Sequence, residues 1–165
     1  MDLLIEPMAP GDWPAVRAIY EDGIAGGDAT FETRTPDWET FDTAHLPACR
    51  LVARRGGTVV AWAALVAVSQ REVYAGVAEV SIYVARSQQK GGVGRALLAH
   101  LIDASEAAGL WTLQAAIFPE NLASIVLHRG AGFRELGRQE QPGQANGRWR
   151  DVVLFERRSR KTGVD

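Results

Sequence analysis

Apolar and polar positions follow two different periods along the chain, and the periods separate predicted helices from predicted strands. Apolar residues recur every three or four positions where a helix would bury one face. Helices are therefore expected from about residue 13 and at residues 38–44, 91–108 and 121–129. Runs rich in β-branched residues, bounded by turn residues, predict strands. These strands are expected at residues 3–5, 51–53, 58–68, 77–84, 111–117, 133–139 and 149–156.

The order of these elements is β, α, α, β, β, β, α, β, α, β, β, which predicts a mixed α/β fold. Gly56 and Gly57 form a turn between two strands, so that pair is expected to be an antiparallel hairpin. The helix at 91–108 lies between two strands and is typical of the crossover that parallel strands require. A central, mostly antiparallel sheet flanked by helices is therefore expected.

Composition changes this picture little, but it excludes several classes of function. The chain has 165 residues, 47% hydrophobic and 23% charged, which fits one globular domain over residues 1–157 and a polar tail at 158–165. The net charge of −2 gives no general attraction to nucleic acid or to an anionic membrane. No apolar run approaches the ~20 residues that cross a bilayer. These features predict a cytoplasmic protein that binds neither nucleic acid nor membrane.

A glycine-rich segment before the helix at 91–108 is the most informative motif. The first N–H groups of a helix have no intrahelical partners and lie at the positive end of the helix dipole. Glycines leave room for a bulky anion to reach them, and Arg95 can pair with phosphate oxygens. Gly91 and Gly92 alone are also compatible with a simple flexible turn. The segment contains neither a P-loop nor a dinucleotide fingerprint, but it matches Q-x-x-G-x-G at Gln89, Gly92 and Gly94.

Glu79 is the candidate general base. It lies inside a β-branched strand, where alternation places it on one face with Ser81 and Tyr83. Burial of a carboxylate is costly and would raise its pKa, which suits proton transfer near neutral pH. The alternative is a carboxylate on an edge strand that faces water, and the residues alone leave both interpretations open.

The Q-x-x-G-x-G match and the element order resemble the GNAT-type N-acetyltransferases. Three further stretches, at residues 29–32, 77–84 and 121–128, resemble the branch that acetylates phosphinothricin and methionine sulfone or sulfoximine. Gly132-Phe133 and residues 147–151 extend the resemblance, which covers residues 19–156. It implies the GNAT fold, a homodimer, and transfer of acetyl from acetyl-CoA to the amine of a small amino-acid-like molecule, with no metal.

The resemblance also implies roles for individual residues. Acetyl-CoA is expected on the backbone of one strand end, on the glycine-rich segment and on the start of the next helix, at Ile82, Tyr83, Val84, Gln89, Lys90, Gly91, Gly92, Val93, Gly94, Arg95, Asn121 and Ser124. Glu79 is expected to take the proton of the amine, and His128 either protonates the leaving thiolate or is structural. The acceptor is expected to contact Phe31, Glu32, Arg71, Glu72, Val73 and Tyr74, with Arg71 binding its carboxylate.

One departure from the branch concerns Ala145, which stands where relatives usually have a lysine in the glycine-rich turn. If that lysine helps to hold an acidic group of the acceptor, this protein prefers a different acceptor. Two other functions remain open: acetylation of a protein N-terminus or lysine, and non-catalytic sensing of acyl-CoA. A sensor would need the glycine-rich segment but not Glu79.

Overall fold

The computed structural model describes residues 2–164, which contain seven strands and four α-helices. The strands are β1 (Leu3–Pro7), β2 (Leu51–Arg55), β3 (Thr58–Ala67), β4 (Val77–Val84), β5 (Thr112–Ile117), β6 (Arg134–Ala145) and β7 (Arg148–Arg158). The helices are α1 (Trp13–Ala25), α2 (Trp38–Ala44), α3 (Val93–Ala107) and α4 (Leu122–Gly130). Every predicted helix and strand is present.

All seven strands form one sheet in the order β1-β2-β3-β4-β5-β7-β6. Neighbouring strands are antiparallel except β4 and β5, which α3 joins as a parallel pair. The parallel pair is short: it runs from Val77 opposite Thr112 to Glu79 opposite Gln114. β3 continues to pair with β4 as far as Val84, so β4 leaves β5 but keeps its other neighbour. The predicted mixed, mostly antiparallel sheet is confirmed.

Two apolar layers cover the faces of the sheet. On one face, buried residues of α3, including Leu97 and Leu101, pack on the central strands. On the other face, α1 and α2 bury an aromatic cluster around Trp62. The ring of Tyr83 on β4 stacks on Trp62, with centroids 4.9 Å apart and planes 15° apart. This packing fixes the end of β4, beside the point where the sheet opens.

The hairpin between β6 and β7 is longer than the strands predicted at residues 133–139 and 149–156. Both strands continue to a two-residue turn at Asn146 and Gly147, whose φ angles are 52° and 75°. Positive φ at both positions is the geometry that Asn-Gly favours in hairpins. Pro142 is tolerated because β6 is an edge strand with a register shift between Gln139 and Gly143.

The C-terminal residues also differ from a solvated tail. Ser159 is buried, and its N–H donates to the carbonyl of Trp111 at 2.8 Å. Arg157 pairs with the buried Glu106 at 3.0 Å, and Arg158 donates to the carbonyl of Thr162 at 3.0 Å. Arg157 and Arg158 therefore help to hold residues 158–162 against the domain.

Within residues 2–164, no helix combines the length and the apolar character that crossing a bilayer requires.

Candidate active site

A cleft of about 1100 Å³ opens where β4 and β5 separate. Beyond Glu79, the residues of β4 no longer pair with β5, so their backbone groups on that side face the cleft. Ile82, Tyr83 and Val84 line it, as do the start of α3 and one side of α4. A gap in a sheet exposes backbone donors and acceptors that a ligand can satisfy. The cleft therefore has the geometry to bind an extended, amide-containing molecule.

An anion cradle, formed by residues 89–95, closes one end of this cleft. Gly92 precedes α3 with a φ of 81°, and α3 has no side-chain cap within the described residues. Ala96 N–H donates to the Gly92 carbonyl at 3.1 Å, so the N–H groups of Val93, Gly94 and Arg95 lack intrahelical acceptors. The predicted helix start at residue 91 is wrong by two residues, because the left-handed Gly92 cannot belong to the helix. The cradle is thus a helix N-terminus left open for an anion.

The side chains and glycines of the cradle belong to the predicted cofactor set. Gln89, Lys90, Gly94 and Arg95 line the cleft, and the side chain of Gln89 donates to the Val84 carbonyl at 3.3 Å. An added Cβ at Gly94 would meet Val84 and Leu127 at ordinary contact distances, the nearest being 3.4 Å. The positive φ angle therefore requires glycine at position 92, whereas a small side chain would fit at position 94.

Glu79 lies at the point where β4 and β5 separate, and it is exposed to the cleft. Surrounding protein atoms still desolvate the carboxyl, and this desolvation raises the pKa of Glu79. β4 lies between β3 and β5, so the alternative of an edge strand does not apply. Ser81 and Tyr83 line the same cleft, and so do Val80 and Ile82, so the cleft follows the open edge of β4 and not one face of it. The site thus offers a basic carboxylate beside unpaired backbone.

The start of α4 organises the opposite side. Asn121 caps the helix, with its Oδ1 accepting from Ser124 N–H at 3.2 Å and its Nδ2 donating to the Asp28 carbonyl at 3.1 Å. Both side-chain atoms of Asn121 are therefore engaged within the protein. Ser124 lines the cleft, and its carbonyl lies 2.7 Å from Nδ1 of His128.

His128 is 2% exposed, and within the described residues its buried Nε2 has no hydrogen-bond partner. Because the nearby Ser124 carbonyl can only accept, Nδ1 carries the ring proton and Nε2 is left with a lone pair. Burial lowers the pKa of His128, which favours the neutral ring. In this geometry, Nε2 holds no proton to give to a leaving thiolate.

The loop after α1 forms another wall of the cleft. Phe31 and Glu32 both line it, as predicted for acceptor-binding residues. Phe31 packs edge-on against Phe118, with ring centroids 4.8 Å apart. Phe118 in turn lies 4.0 Å below the guanidinium carbon of Arg150.

Comparison with known proteins assigns the family. The chain matches the Acetyltransferase (GNAT) family over residues 13–133. It belongs to the GNAT family. It is 32% identical over 162 residues to an L-methionine sulfoximine/L-methionine sulfone acetyltransferase of Pseudomonas aeruginosa, with 94% of each chain covered. It is 35% identical to a phosphinothricin N-acetyltransferase of Alcaligenes faecalis, with 88% of this chain and 77% of that protein covered.

A solved GNAT structure agrees with this assignment. The phosphinothricin acetyltransferase of Sinorhizobium meliloti, crystallised with acetyl-CoA, is 27% identical, with a TM-score of 0.89 over 100% of this chain and 92% of that one. The predictions of the family, of its fold and of an acetyltransferase enzyme are confirmed.

The GNAT cleft does not include four of the predicted acceptor-binding residues. Arg71, Glu72, Val73 and Tyr74 lie outside it, on a one-turn 3-10 helix and its cap between β3 and β4. Val73 and Tyr74 instead line a second cavity of about 610 Å³, and the Arg71 guanidinium lies 5.3 Å from the Tyr74 ring centroid. The resemblance assigned these four residues to the acceptor, but the structure does not bring them to the cleft of the same chain.

Several residues of the GNAT cleft were not predicted. Phe118, Leu127 and Val152 line it: Phe118 follows β5, Leu127 lies on α4 and Val152 lies on β7, so only the fold brings them together. Ala145 is buried with Phe118 and Val152, below the cleft surface. Arg150, which lies behind the cleft, had a signal, since it falls in the stretch at 147–151 that resembles relatives, but no role was predicted for it.

Among residues 2–164, no group of three or more His, Cys, Asp or Glu side chains is placed to hold a metal ion.

Proposed function

We propose that this GNAT acetyltransferase transfers the acetyl group of acetyl-CoA to the amine of a small amino-acid-like acceptor, of the methionine sulfone, methionine sulfoximine or phosphinothricin type. One observation carries the proposal: Glu79, with its raised pKa, lies in the same cleft as the open N-terminus of α3. The similarity to the P. aeruginosa and A. faecalis enzymes supports this class of acceptor.

The residues of the cleft fit acetyl-CoA. The N–H groups of Val93, Gly94 and Arg95 suit its diphosphate, and the positive charge of Arg95 adds to the helix dipole. The free backbone of β4 from Ile82 to Val84 suits the amides of its pantetheine arm. The S. meliloti enzyme, which binds acetyl-CoA, shares this fold.

The chemistry then depends on Glu79. An amine must lose a proton to attack, and Glu79 accepts it directly or through one water. The amine nitrogen bonds to the acetyl carbon, the carbon–sulfur bond breaks, and the sulfur leaves with the electron pair as a thiolate. We propose that His128 supports the wall of the cleft and does not protonate this thiolate, because its ring proton is held by Ser124.

The carboxylate of an amino-acid acceptor needs a positively charged partner in the cleft. Among the residues that line the cleft, the lysine and arginine side chains are Lys90 and Arg95, both in the anion cradle. An amino-acid acceptor needs another cation, and Arg71 lies on a different surface beside the exposed Val73 and Tyr74. We propose that two copies associate through this surface and that Arg71 of one copy serves the cleft of the other.

A free-thiol release assay across amino-acid analogues tests the activity, with Glu79→Gln as the decisive variant. Loss of a general base costs ~10²–10⁴-fold in kcat, and calorimetry should show acetyl-CoA binding as in the wild type. Glu39→Gln, an exposed carboxylate on α2, is the matched control and should retain full activity. An acyl-CoA sensor would show no turnover with any acceptor, and a protein acetyltransferase would turn over peptides but not analogues.

Mixing variants tests the homodimer. Glu79→Gln and Arg71→Ala should each be nearly inactive alone, and an equimolar mixture should recover part of the wild-type rate if Arg71 acts across the interface. Sedimentation should show a dimer at assay concentrations. A monomeric sedimentation coefficient, or a mixture no more active than its parts, excludes this arrangement.

A further inference from the structure

Arg150 on β7 is a buried charge that none of the proposed catalytic steps uses. It is 7% exposed, and its guanidinium reaches the loop after α1 and the connection before α4. Nη1 donates to the Gly27 carbonyl at 2.9 Å, and Nη2 donates to Asp28 Oδ1 at 2.8 Å and to Glu120 Oε2 at 3.1 Å. We call these four residues the Arg150 clasp.

The clasp holds one end of the loop that carries Phe31 and Glu32. Asp28 lies three and four residues before them, and its carbonyl also accepts from Asn121 Nδ2 at 3.1 Å. The loop is therefore fixed at two points, one on β7 and one at the cap of α4. The guanidinium also covers one face of Phe118, whose ring meets Phe31 at 4.8 Å between centroids.

Arg150 does not itself line the cleft, whereas Phe31, Glu32 and Phe118 do. Its effect on a bound acceptor must therefore pass through these neighbours. A planar guanidinium with several fixed donors suits this task, because it holds two loops at a defined distance and angle. A lysine, with one compact charge, cannot make the same set of contacts.

We propose that Arg150 is a positioning residue for the acceptor: the clasp sets the loop at residues 27–32 so that Phe31 and Glu32 form one wall of the acceptor pocket. This inference rests on the proposed function. Displacing a binding wall by ~1 Å can cost up to ~10²-fold in catalysis. Loss of the clasp should weaken acceptor binding far more than binding of acetyl-CoA, whose cradle lies on α3.

Steady-state kinetics of Arg150→Lys, Arg150→Met and Asp28→Asn test the proposal. Arg138→Met is the matched control, since Arg138 pairs with Asp151 at 2.8 Å on the exposed side of the neighbouring strand. We expect the acceptor KM to rise on the order of 10-fold or more in the Arg150 variants, with the Kd of acetyl-CoA within about twofold. The control should match the wild type. The double variant Asp28→Asn/Arg150→Met should be no worse than Arg150→Met alone, because Asp28→Asn weakens an ion pair that Arg150→Met already removes.

Hydrogen–deuterium exchange without substrates separates this proposal from the proposed function. Amides at residues 26–32 should exchange faster in Arg150→Lys than in the wild type, whether or not any acceptor is turned over. If Arg150→Met fails to fold, the kinetics and the hydrogen–deuterium exchange are measured on Arg150→Lys and Asp28→Asn. The proposal is overturned if Arg150→Lys shows wild-type exchange at residues 26–32. It is also overturned if its acceptor KM is unchanged, or if acceptor KM and acetyl-CoA Kd rise together.

Discussion

Replacing Gly92 by alanine tests whether the anion cradle depends on the left-handed backbone before α3. Gly109, just after α3, provides a matched control on the same helix. The φ angles are 81° at Gly92 and 84° at Gly109, and an added Cβ would meet nothing within 4 Å at either position. Backbone strain is therefore the main effect of each substitution, and it should be similar in both.

The magnitude follows from the conformation. A non-glycine residue in the left-handed region costs about 1–2 kcal/mol. For a domain of this size, each kcal/mol shifts Tm by ~2–4 °C, so a variant that keeps the full strain, as we expect for Gly109→Ala, should lose about 2–8 °C. In Gly92→Ala, the free protein can relieve the strain by turning the cradle away from its anion-binding geometry, and the relieved part of the strain no longer lowers Tm. If binding must restore that geometry, the affinity for acetyl-CoA falls by about 5- to 30-fold.

Calorimetry with acetyl-CoA and thermal denaturation of both variants provide the assay. We expect Gly92→Ala to lose less Tm than Gly109→Ala, and weaker binding of acetyl-CoA in Gly92→Ala alone. Gly109 does not line the cleft, so Gly109→Ala should bind acetyl-CoA as the wild type does. Equal affinity in the two variants, after equal losses of stability, would refute the role given to the backbone at position 92.

Three further predictions concern stability. Because desolvation raises the pKa of the Glu79 carboxyl, folding favours its protonated form, and stability is lost as pH rises through the folded pKa. Glu79→Gln should therefore have a higher Tm than the wild type at pH 8, and this gain should shrink towards pH 4. An unchanged Tm at pH 8 would contradict this. Burial lowers the pKa of His128, so stability should fall as pH drops below about 6.5; His128→Gln should reduce this slope in urea unfolding, with a remainder from His45, whose pKa burial also lowers. A slope equal to that of the wild type would argue against a buried neutral His128. At Gly76, an added Cβ would lie 2.1 Å from the Trp111 ring, so Gly76→Ala should lose at least the ~1–3 kcal/mol typical of overpacking, and a wild-type Tm would show that the ring yields freely.

Local patterns made much of the fold and the cradle predictable. The glycine-rich segment at 89–94 precedes an amphipathic helix, and both features are read from adjacent residues. Strand alternation grouped Glu79 with Ser81 and Tyr83, but the cleft is also lined by Val80 and Ile82 of the other face, so alternation did not define the cleft. Such features depend on the period of one element and not on its neighbours. The Asn-Gly turn of the β6–β7 hairpin was equally local, and the prediction overlooked it.

Features that depend on how elements meet were not predictable from one sequence. Phe31 and Phe118 are 87 positions apart in the chain and form one wall. Arg150 lies in a stretch that resembles relatives, but only the fold brings Asp28 and Glu120 to it. The position of Arg71 depends on the connection between β3 and β4, whose sequence does not define its direction.

The pH dependence of kcat for the wild type and for Glu79→Gln tests the central claim most directly. The account predicts that the wild-type rate rises with pH along a limb whose midpoint lies above the ordinary glutamate pKa of about 4.3, since desolvation raises the pKa of Glu79. Glu79→Gln should bind acetyl-CoA normally, turn over ~10²–10⁴-fold more slowly and lack that limb. A variant that retains both the rate and the limb would show that another group, or none, takes the proton.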